Sequence, residues 1–467
     1  MTIRASALVF PLLLLASCGG APPARIPDLE VDVPERWTGS EVSGGPVEGM
    51  GWVRFQDPAL DALVAEAIER NHDLRAASAR VAAAEAQARI AGADLFPAAD
   101  LALDASRQRQ VIVGLPIPGS DEVLGFRSTR LGVSLNVAWE IDLWGRLRAQ
   151  RSAALADVEA ARAVRRATRL SLAAQVSKTW FALVEARMQV DLAEATAASF
   201  RTSTESVRAR YESGTRPSLD LRLSLSNLGS AESEVARRRE IQEATVRQVE
   251  ILLGRYPSGE IEATEDLPPV PPGIPAGLPS ELLARRPDLL AAERRLAAST
   301  ERVAEARASL YPRLALTASG GTASDALRDL VDEDFGVWTL AGNLLQPLFQ
   351  GGRLRGGVAL AEALESEGLE IYRSDVLRAF AEVESLLAAQ DPLARREEEL
   401  GSSAAHARAA LRLAEDRYAR GLGGILEVLE AQRRTFVSET ALLAARRDRL
   451  DARVDLHLAL GGDLEIP

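Results

Sequence analysis

The sequence predicts a mainly α-helical chain carrying four amphipathic β-strands, built as two copies of one unit. Three observations predict it. Arg146 to Ser213 contains neither proline nor glycine, and at ~1.5 Å rise per residue an unbroken helix there would run roughly 100 Å, several times the thickness of an ordinary domain. Directly ahead of it, Leu131, Val133, Leu135, Val137, Trp139 and Ile141 alternate with Gly132, Ser134, Asn136, Ala138, Glu140 and Asp142, giving a strand with one apolar and one polar face. Third, the chain repeats itself. Asn71-His72-Asp73-Leu74 returns as Arg286-Pro287-Asp288-Leu289, and Phe96-Pro97 returns as Tyr311-Pro312 at the same offset. Gly145-Arg146-Leu147-Arg148 returns as Gly352-Arg353-Leu354-Arg355, and Tyr211 and Gly214 return as Tyr418 and Gly421, at a second common offset. A helix, strand, strand, long helix, turn, helix unit thus occurs twice.

Composition narrows the class. Alanine, leucine and arginine dominate and aromatics are 4% of the 467 residues, the profile of long helices rather than of several globular domains. Asp+Glu (67) and Lys+Arg (55) leave a net charge of −12 spread along the helices, which argues against nucleic acid as a partner.

Residues 1–17 have the order of a secretory signal peptide: Arg4, an apolar run from Ala7 to Leu15, then Ala16-Ser17. Leu15-Ala16-Ser17-Cys18 also resembles a bacterial lipobox, whose cysteine is acylated and becomes the mature N-terminus; a fortuitous cysteine in a signal peptide cut a few residues later is the alternative. Cys18 is the only cysteine, so it has no partner for an internal disulfide. What is known of bacterial lipoproteins implies that Gly19 after the cysteine favours passage to the outer membrane. Beyond Ser17 no apolar run approaches the ~20 residues of a spanning helix, so any further crossing must use strands.

The elements follow in order. Residues 18–56, with Pro22, Pro23, Pro27, Pro34 and Pro46, read as an extended tether. Asp57-Pro58 opens a helix as N-cap and first turn, with Leu60, Leu63, Val64, Ala67, Ile68 and Leu74 as its apolar stripe, continuing to about Ala93. Pro97 to Arg107 and Leu131 to Ile141 are strands flanking a Pro- and Gly-containing loop, each near the ~9–11 residues that cross a bilayer at a tilt. The long helix carries Val176, Leu183 and Val190 at heptad spacing. Gly214-Thr215-Arg216-Pro217 ends it, and a return helix runs from Ser218 to Leu253, closing at Gly254. The first repeat therefore spans residues 57–256, a proline-rich linker 257–279, and the second repeat 280–467, with Ser280 as cap of its first helix and a shorter surface loop, Ser319 to Asp334. In the second long helix Gly356, Gly357, Gly368, Pro392 and Gly401 predict a kink near Asp391-Pro392 rather than one clean rod.

Four strands cannot close a barrel, and an open edge in lipid leaves backbone groups unpaired at several kcal/mol each. Transmembrane barrels begin at about eight strands. If its strands span a membrane, the chain must oligomerise; two copies give eight strands and three give twelve, and arithmetic alone does not choose.

Arg54-Phe55-Gln56-Asp57-Pro58 with Leu60 and Leu63, Leu278-Pro279-Ser280-Glu281-Leu282-Leu283-Ala284-Arg285-Arg286-Pro287-Asp288, and Arg417-Tyr418-Ala419-Arg420-Gly421 followed by Leu426-Glu427-Val428-Leu429-Glu430-Ala431-Gln432 resemble signatures of the TolC-like outer-membrane efflux family, in particular its lipid-anchored branch serving RND-type multidrug pumps. The resemblance covers nearly all of the mature chain. It implies a homotrimer, a twelve-stranded outer-membrane β-barrel and a long coiled-coil α-helical barrel crossing the periplasm of a Gram-negative bacterium. It also implies docking through the helix tips, here Gly214, Thr215, Gly421 and Leu422, to a periplasmic adaptor protein and an inner-membrane RND-type pump.

The resemblance further implies a gate. Relatives carry two acidic residues spaced by three at the second-repeat tip, and the matching positions are Glu427 and Glu430, one helical turn apart. Three copies would concentrate negative charge at a constriction and raise the carboxylate pKa values by like-charge repulsion; the plainer alternative is a pair of solvated surface glutamates. Asp220 is the first-repeat counterpart of Glu427. Some relatives pair this acid with an arginine four residues before the second-repeat acid, but Gly423 stands there, so that latch is missing and Arg216 is the substitute partner to weigh against a cap or surface role.

No enzymatic constellation appears. His72, His406 and His457 lie in separate helical stretches without metal-ligand spacing, Gly351-Gly352 lacks the Lys-Ser/Thr of a phosphate loop, and no cofactor motif is present. Two other readings remain at this point: a protein-secretion outlet of the same fold, and a lipid-anchored periplasmic scaffold or pump adaptor whose strands belong to a soluble domain.

Overall fold

The structure, a computed structural model, describes residues 30, 33–34, 37–38, 55–111, 125–271 and 279–462. The expected signal peptide, Cys18 and most of the expected tether lie outside them. The elements are α1 (Pro58–Arg70), α2 (His72–Ala93), β1 (Ala98–Val111), β2 (Gly125–Ile141), α3 (Arg146–Glu212), α4 (Ser218–Leu252), α5 (Pro279–Arg285), α6 (Pro287–Ala308), β3 (Arg313–Ser324), β4 (Gly336–Leu345), α7 (Arg353–Ala419) and α8 (Ile425–Ala459). The order of the first six elements is that of the last six, and the equivalent helices match in length: α3 and α7 have 67 residues each, α4 and α8 35 each, α2 and α6 22 each.

The chain divides into two compact units that cut across the sequence repeats. Among the described residues, one comprises those of 83–159 and 294–369; the other comprises those of 30–82, 160–293 and 370–462.

The first unit contains the sheet. Its antiparallel order is β1-β2-β3-β4, so β1 and β4 are edges. One row across it reads Leu101, Leu135, Gly320, Trp338, while the next reads Asp100, Asn136, Ser319, Thr339. Because side chains alternate along each strand, the first face is mainly apolar around these positions, with Thr322 its nearest exception, and the second is mainly polar or small. The apolar face is bare: Leu103 is 76% exposed, Leu340 75% and Trp338 82%. At the helical end of the strands, Trp139 Nε1 donates to Leu95 O at 3.0 Å and Trp144 Nε1 to Pro312 O at 2.8 Å. The Trp144 ring stacks on Tyr311, centroids 5.0 Å apart.

The second unit holds the apolar cores. Leu60, Val64 and Ala67 of α1 pack with Val176, Trp180, Phe181, Leu183 and Val184 of α3 and with Val249 of α4, so the heptad seam is buried. A second cluster joins Leu282, Leu283 and Leu289 to Tyr372, Val376 and Val383 of α7 and Leu456 of α8. Asp57 Oδ1 caps α1 by accepting from the Ala59 and Leu60 N–H groups at 3.0 and 3.2 Å, while Oδ2 accepts the buried Trp180 indole N–H at 2.7 Å.

Three expectations are corrected, and a fourth, the interruption of the second long helix, in part. Helix α1 stops at Asn71, which caps α2 through its Oδ1 and donates its amide to Leu252 O at 2.9 Å; a capping residue with a tertiary partner overrides continuous alanine-rich propensity. Both strands of the first hairpin are longer than their apolar alternation, because Gln108 to Val111 pair with Gly125 to Ser128, and β3 likewise takes in Ser319 to Ser324 of the expected second loop; pairing does not require an apolar face. Helix α5 begins at Pro279, so Ser280 lies within its first turn rather than capping it. Helix α7 runs unbroken past its glycines and Pro392. Proline removes one N–H, whose acceptor would be Ala388 O, and both Pro392 and Ala388 are exposed, where water can take that carbonyl.

Candidate functional site

The helix tips of the second unit bring both repeats together. The α3–α4 and α7–α8 turns close identically. Gly214 N–H donates to Tyr211 O at 2.9 Å and Thr215 N–H to Arg210 O at 2.9 Å; Gly421 N–H donates to Tyr418 O at 3.0 Å and Leu422 N–H to Arg417 O at 2.8 Å. This is the Schellman closure. It needs a left-handed residue after the last helical turn, supplied by Gly214 at φ +73 and Gly421 at φ +74. Beneath the turns, Phe200 and Val207 of α3 pack with Tyr418, Ile425, Val428 and Leu429. Gln432 Nε2 ties α8 to α3 by donating to Ser199 Oγ at 2.7 Å and Ser203 Oγ at 3.0 Å. Leu219, Leu422 and Leu426 stay exposed at the end.

The two repeats are joined at Tyr418. The Arg210 guanidinium lies 4.4 Å from its ring centre and that of Arg216 lies 5.6 Å away. Arg210 also donates to Tyr418 O at 3.3 Å and to Ala419 O at 3.4 Å. These donors satisfy carbonyls that the end of α7 leaves open. Neither Arg210 nor Tyr418 was identified as a site residue from sequence. The available signal is the repeated Arg-Tyr pair, Arg210-Tyr211 and Arg417-Tyr418.

Asp220 lies in the first turn of α4 and Glu427 in the first turn of α8, where the helix dipole favours negative charge. Arg216 reaches Asp220 at 3.9 Å, so the substitute pairing forms, but within the first repeat. Across the tip, Arg216 meets the Tyr418 ring instead of an acid. Glu427 faces Arg417 at 3.9 Å, beside Gly423, where a Cβ would come 3.2 Å from Glu427 Oε2. Glu430 is held by Arg433 at 3.0 and 2.9 Å and by Arg434 at 2.7 Å. Hydrogen bonds from these guanidiniums pull its carboxyl down to about 2. Within one chain the direction is thus opposite to the rise expected for a ring of like charges, because two arginines sit closer to Glu430 than any second acid.

Among the described residues no group of three or more His, Cys, Asp or Glu side chains is placed to hold a metal ion, and no helix is long and apolar enough to cross a membrane.

The sequence profile described as "Outer membrane efflux protein" matches residues 63–255 and again 278–462, one match for each run of equivalent elements. The chain belongs to the outer membrane efflux protein family. It is 34% identical to the pyoverdine export outer membrane protein OpmQ of Pseudomonas putida, over 99% of this chain and 98% of that one. It is likewise 34% identical to the outer membrane protein OprJ of Pseudomonas aeruginosa, over 96% and 94%. Among solved structures it superposes on the open state of the MtrE outer membrane channel of Neisseria gonorrhoeae with a TM-score of 0.81 at 30% identity, covering 95% and 98% of the two chains. The outer-membrane channel OprN superposes with a TM-score of 0.84 at 28% identity, covering 96% and 100%. As a member of the outer membrane efflux family the chain has the TolC-like channel fold, mainly helical with four antiparallel strands.

Proposed function

We propose that this protein is the exit duct of a tripartite efflux pump: a homotrimer that passively conducts small molecules from the periplasm to the outside, opening and closing at its helix tips. The observation that carries the reading is the sheet. Four strands with one bare apolar face and two unpaired edges cannot stand in lipid, and three copies would close them into a twelve-stranded barrel of the size range such barrels occupy.

In this reading Glu427 and Glu430 present acidic rings at the periplasmic end, Asp220 and Arg216 flank them, and Gly214, Thr215, Gly421 and Leu422 meet a periplasmic adaptor, which in turn engages an inner-membrane RND-type pump. Cys18 carries the lipid anchor, residues 18–56 the tether, and residues 57–256 and 280–467 the two wall repeats joined by 257–279. Small-molecule cargo is favoured over protein cargo because relatives are named for pyoverdine export and for solvent and toluene efflux. The pump, not the duct, selects the substrate.

Planar-bilayer recording tests it. The purified protein conducts ions, and Glu427→Ala with Glu430→Ala raises basal conductance and weakens block by divalent cations. A protein that never conducts would sink the channel reading; conduction with unchanged block would remove the two glutamates from the gate. Cys18→Ser abolishes lipid labelling while barrel insertion persists.

A further inference from the structure

The apolar face of the sheet does not run to the end of the first hairpin. Going up β1 it reads Leu101, Leu103, Ala105, Arg107, Arg109, Val111, and the residues opposite on β2 read Leu135, Val133, Leu131, Thr129, Arg127, Gly125. Arg107, Arg109 and Arg127 therefore point to the same side as the lipid-facing leucines, and all three are exposed. The opposite face at this level carries Gln108 with Ser128 and Gln110 with Phe126, with Arg130 one step lower.

The height is informative. From Trp139, whose indole marks the helical end of the sheet, to Thr129 the strand climbs about 34 Å at ~3.4 Å per residue. At the roughly 40° tilt of barrel strands this is about 26 Å along the barrel axis, against an apolar band about 25 Å tall. The Arg107 row thus falls at the upper edge of the band, and the Arg109–Arg127 row about 5 Å above it, at headgroup level.

Arg109 and Arg127 are directly opposed cross-strand partners, a like-charge arrangement that destabilises a sheet unless something neutralises it. Among the described residues none of the three has a carboxylate at ion-pair distance. The Arg109 side chain lies along the sheet toward Gly125, where a Cβ would stand 3.3 Å from its Nε; it therefore leans away from the apolar rows, as a cation seeking the interface does. All three cations are arginines in a chain whose single lysine is Lys178. Arginine's planar fork binds phosphate oxygens in pairs.

We propose that Arg107, Arg109 and Arg127 form an outward-facing docking surface for the phosphate groups of the outer leaflet's glycolipid, lipid A. The proposal rests on the channel reading above, which sets this hairpin on the outer side of the membrane. Bound phosphate neutralises the opposed arginines and anchors the barrel at its rim, independently of the acyl chain on Cys18.

The test uses the purified full-length protein reconstituted with bisphosphorylated lipid A, followed by detergent washing and native mass spectrometry of the lipid retained per trimer. The native protein retains bisphosphorylated lipid A at least tenfold better than lipid A stripped of phosphate, and millimolar inorganic phosphate does not displace it. Replacing Arg107, Arg109 and Arg127 together by glutamine abolishes the difference, whereas Arg130→Gln, on the other face, does not. Equal retention of the two lipids by the native protein, displacement by free phosphate, or undiminished selectivity in the triple variant each overturns the proposal. The comparison of lipids needs no variant and so survives a folding failure of the triple one. Conductance recorded from the same samples separates failure of this site from failure of the channel reading.

Discussion

The guanidinium of Arg210, at the end of α3, stacks 4.4 Å from the centre of the Tyr418 ring at the end of α7, joining the tips of the two repeats inside one chain. Such a contact contributes ~0.5–2 kcal/mol depending on desolvation, and the carbonyls of Tyr418 and Ala419 accept from the same guanidinium. Arg210→Ala therefore loosens the tip and, in the proposed channel, raises basal single-channel conductance. Arg210→Lys, which keeps the charge but not the fork, gives an intermediate value. Conductance unchanged in both variants would place the tip's restraint elsewhere.

Glu430 keeps its charge in acid. Arg433 and Arg434 lower its carboxyl to about 2, below the usual glutamate value, so the folded protein holds it ionised as pH falls from 7 to 4, and any stabilisation from these pairs is fully present above about pH 4.5 and is lost progressively as pH falls from there through about 2. The effect of Glu430→Gln on divalent-cation block should then be as large at pH 4 as at pH 7. An effect that vanishes by pH 4 would show that in the assembled protein like-charge repulsion outweighs the two arginines.

Asp451 behaves in the opposite sense. Burial raises its carboxyl to about 6, against the pull of Arg447 and Lys178 and with help from Asp455 and Asp448. Arg447 Nε lies 3.5 Å away while its Nη1 is taken by Glu185 at 2.8 Å, and Lys178 is taken by Asp455 at 2.9 Å. The folded state binds a proton more tightly than the unfolded one, so stability falls as pH rises from about 4 to about 6 and stays lower above. Linkage puts this at up to about 3 kcal/mol, trimmed to about 1–2 kcal/mol by the remaining solvent contact. Asp451→Asn should raise the thermal midpoint at pH 7 and leave it unchanged at pH 4; a variant less stable at pH 7 would mean that the ionised carboxylate is a net stabiliser.

Much of the architecture was legible because it rests on periodicity. The heptad Val176, Leu183, Val190 and the alternation from Leu131 to Ile141 both follow from one face being apolar, and the duplication follows from matching turn residues such as Gly214 and Gly421. What escaped was set by polar contacts. Asn71 interrupts a helix through a cap and a bond to Leu252, the upper hairpin pairs through mostly polar rows that lack the apolar alternation, and Pro392 is tolerated at an exposed position where water can take the carbonyl it orphans. At the tip, Glu427 and Glu430 stand out only through the family resemblance, since acids spaced by three are ordinary on a solvated helix face, and Arg210 over Tyr418 is a contact between residues from different repeats, hinted at only by the repeated Arg-Tyr pair.

In the proposed channel the open sheet closes by pairing β4 with β1 of another copy, and the duplication specifies the register. Leu101 opposite Leu135 in the first hairpin corresponds to Leu316 opposite Gly342 in the second, and Leu103 opposite Val133 to Ala318 opposite Leu340, so the repeat preserves pairing residue for residue. Applying the same correspondence to Val137 opposite Ala318 between β2 and β3 sets Leu344 against Leu103 of the partner subunit, both on the apolar face. The decisive measurement is disulfide trapping in a Cys18→Ser background, where no other thiol competes. Leu103→Cys with Leu344→Cys should yield covalent dimers and trimers on mild oxidation in outer membranes, while Leu103→Cys with Leu340→Cys, displaced by about 13 Å along the strand, should not. Monomer alone from the first pair, or equal yield from the displaced pair, would contradict the account.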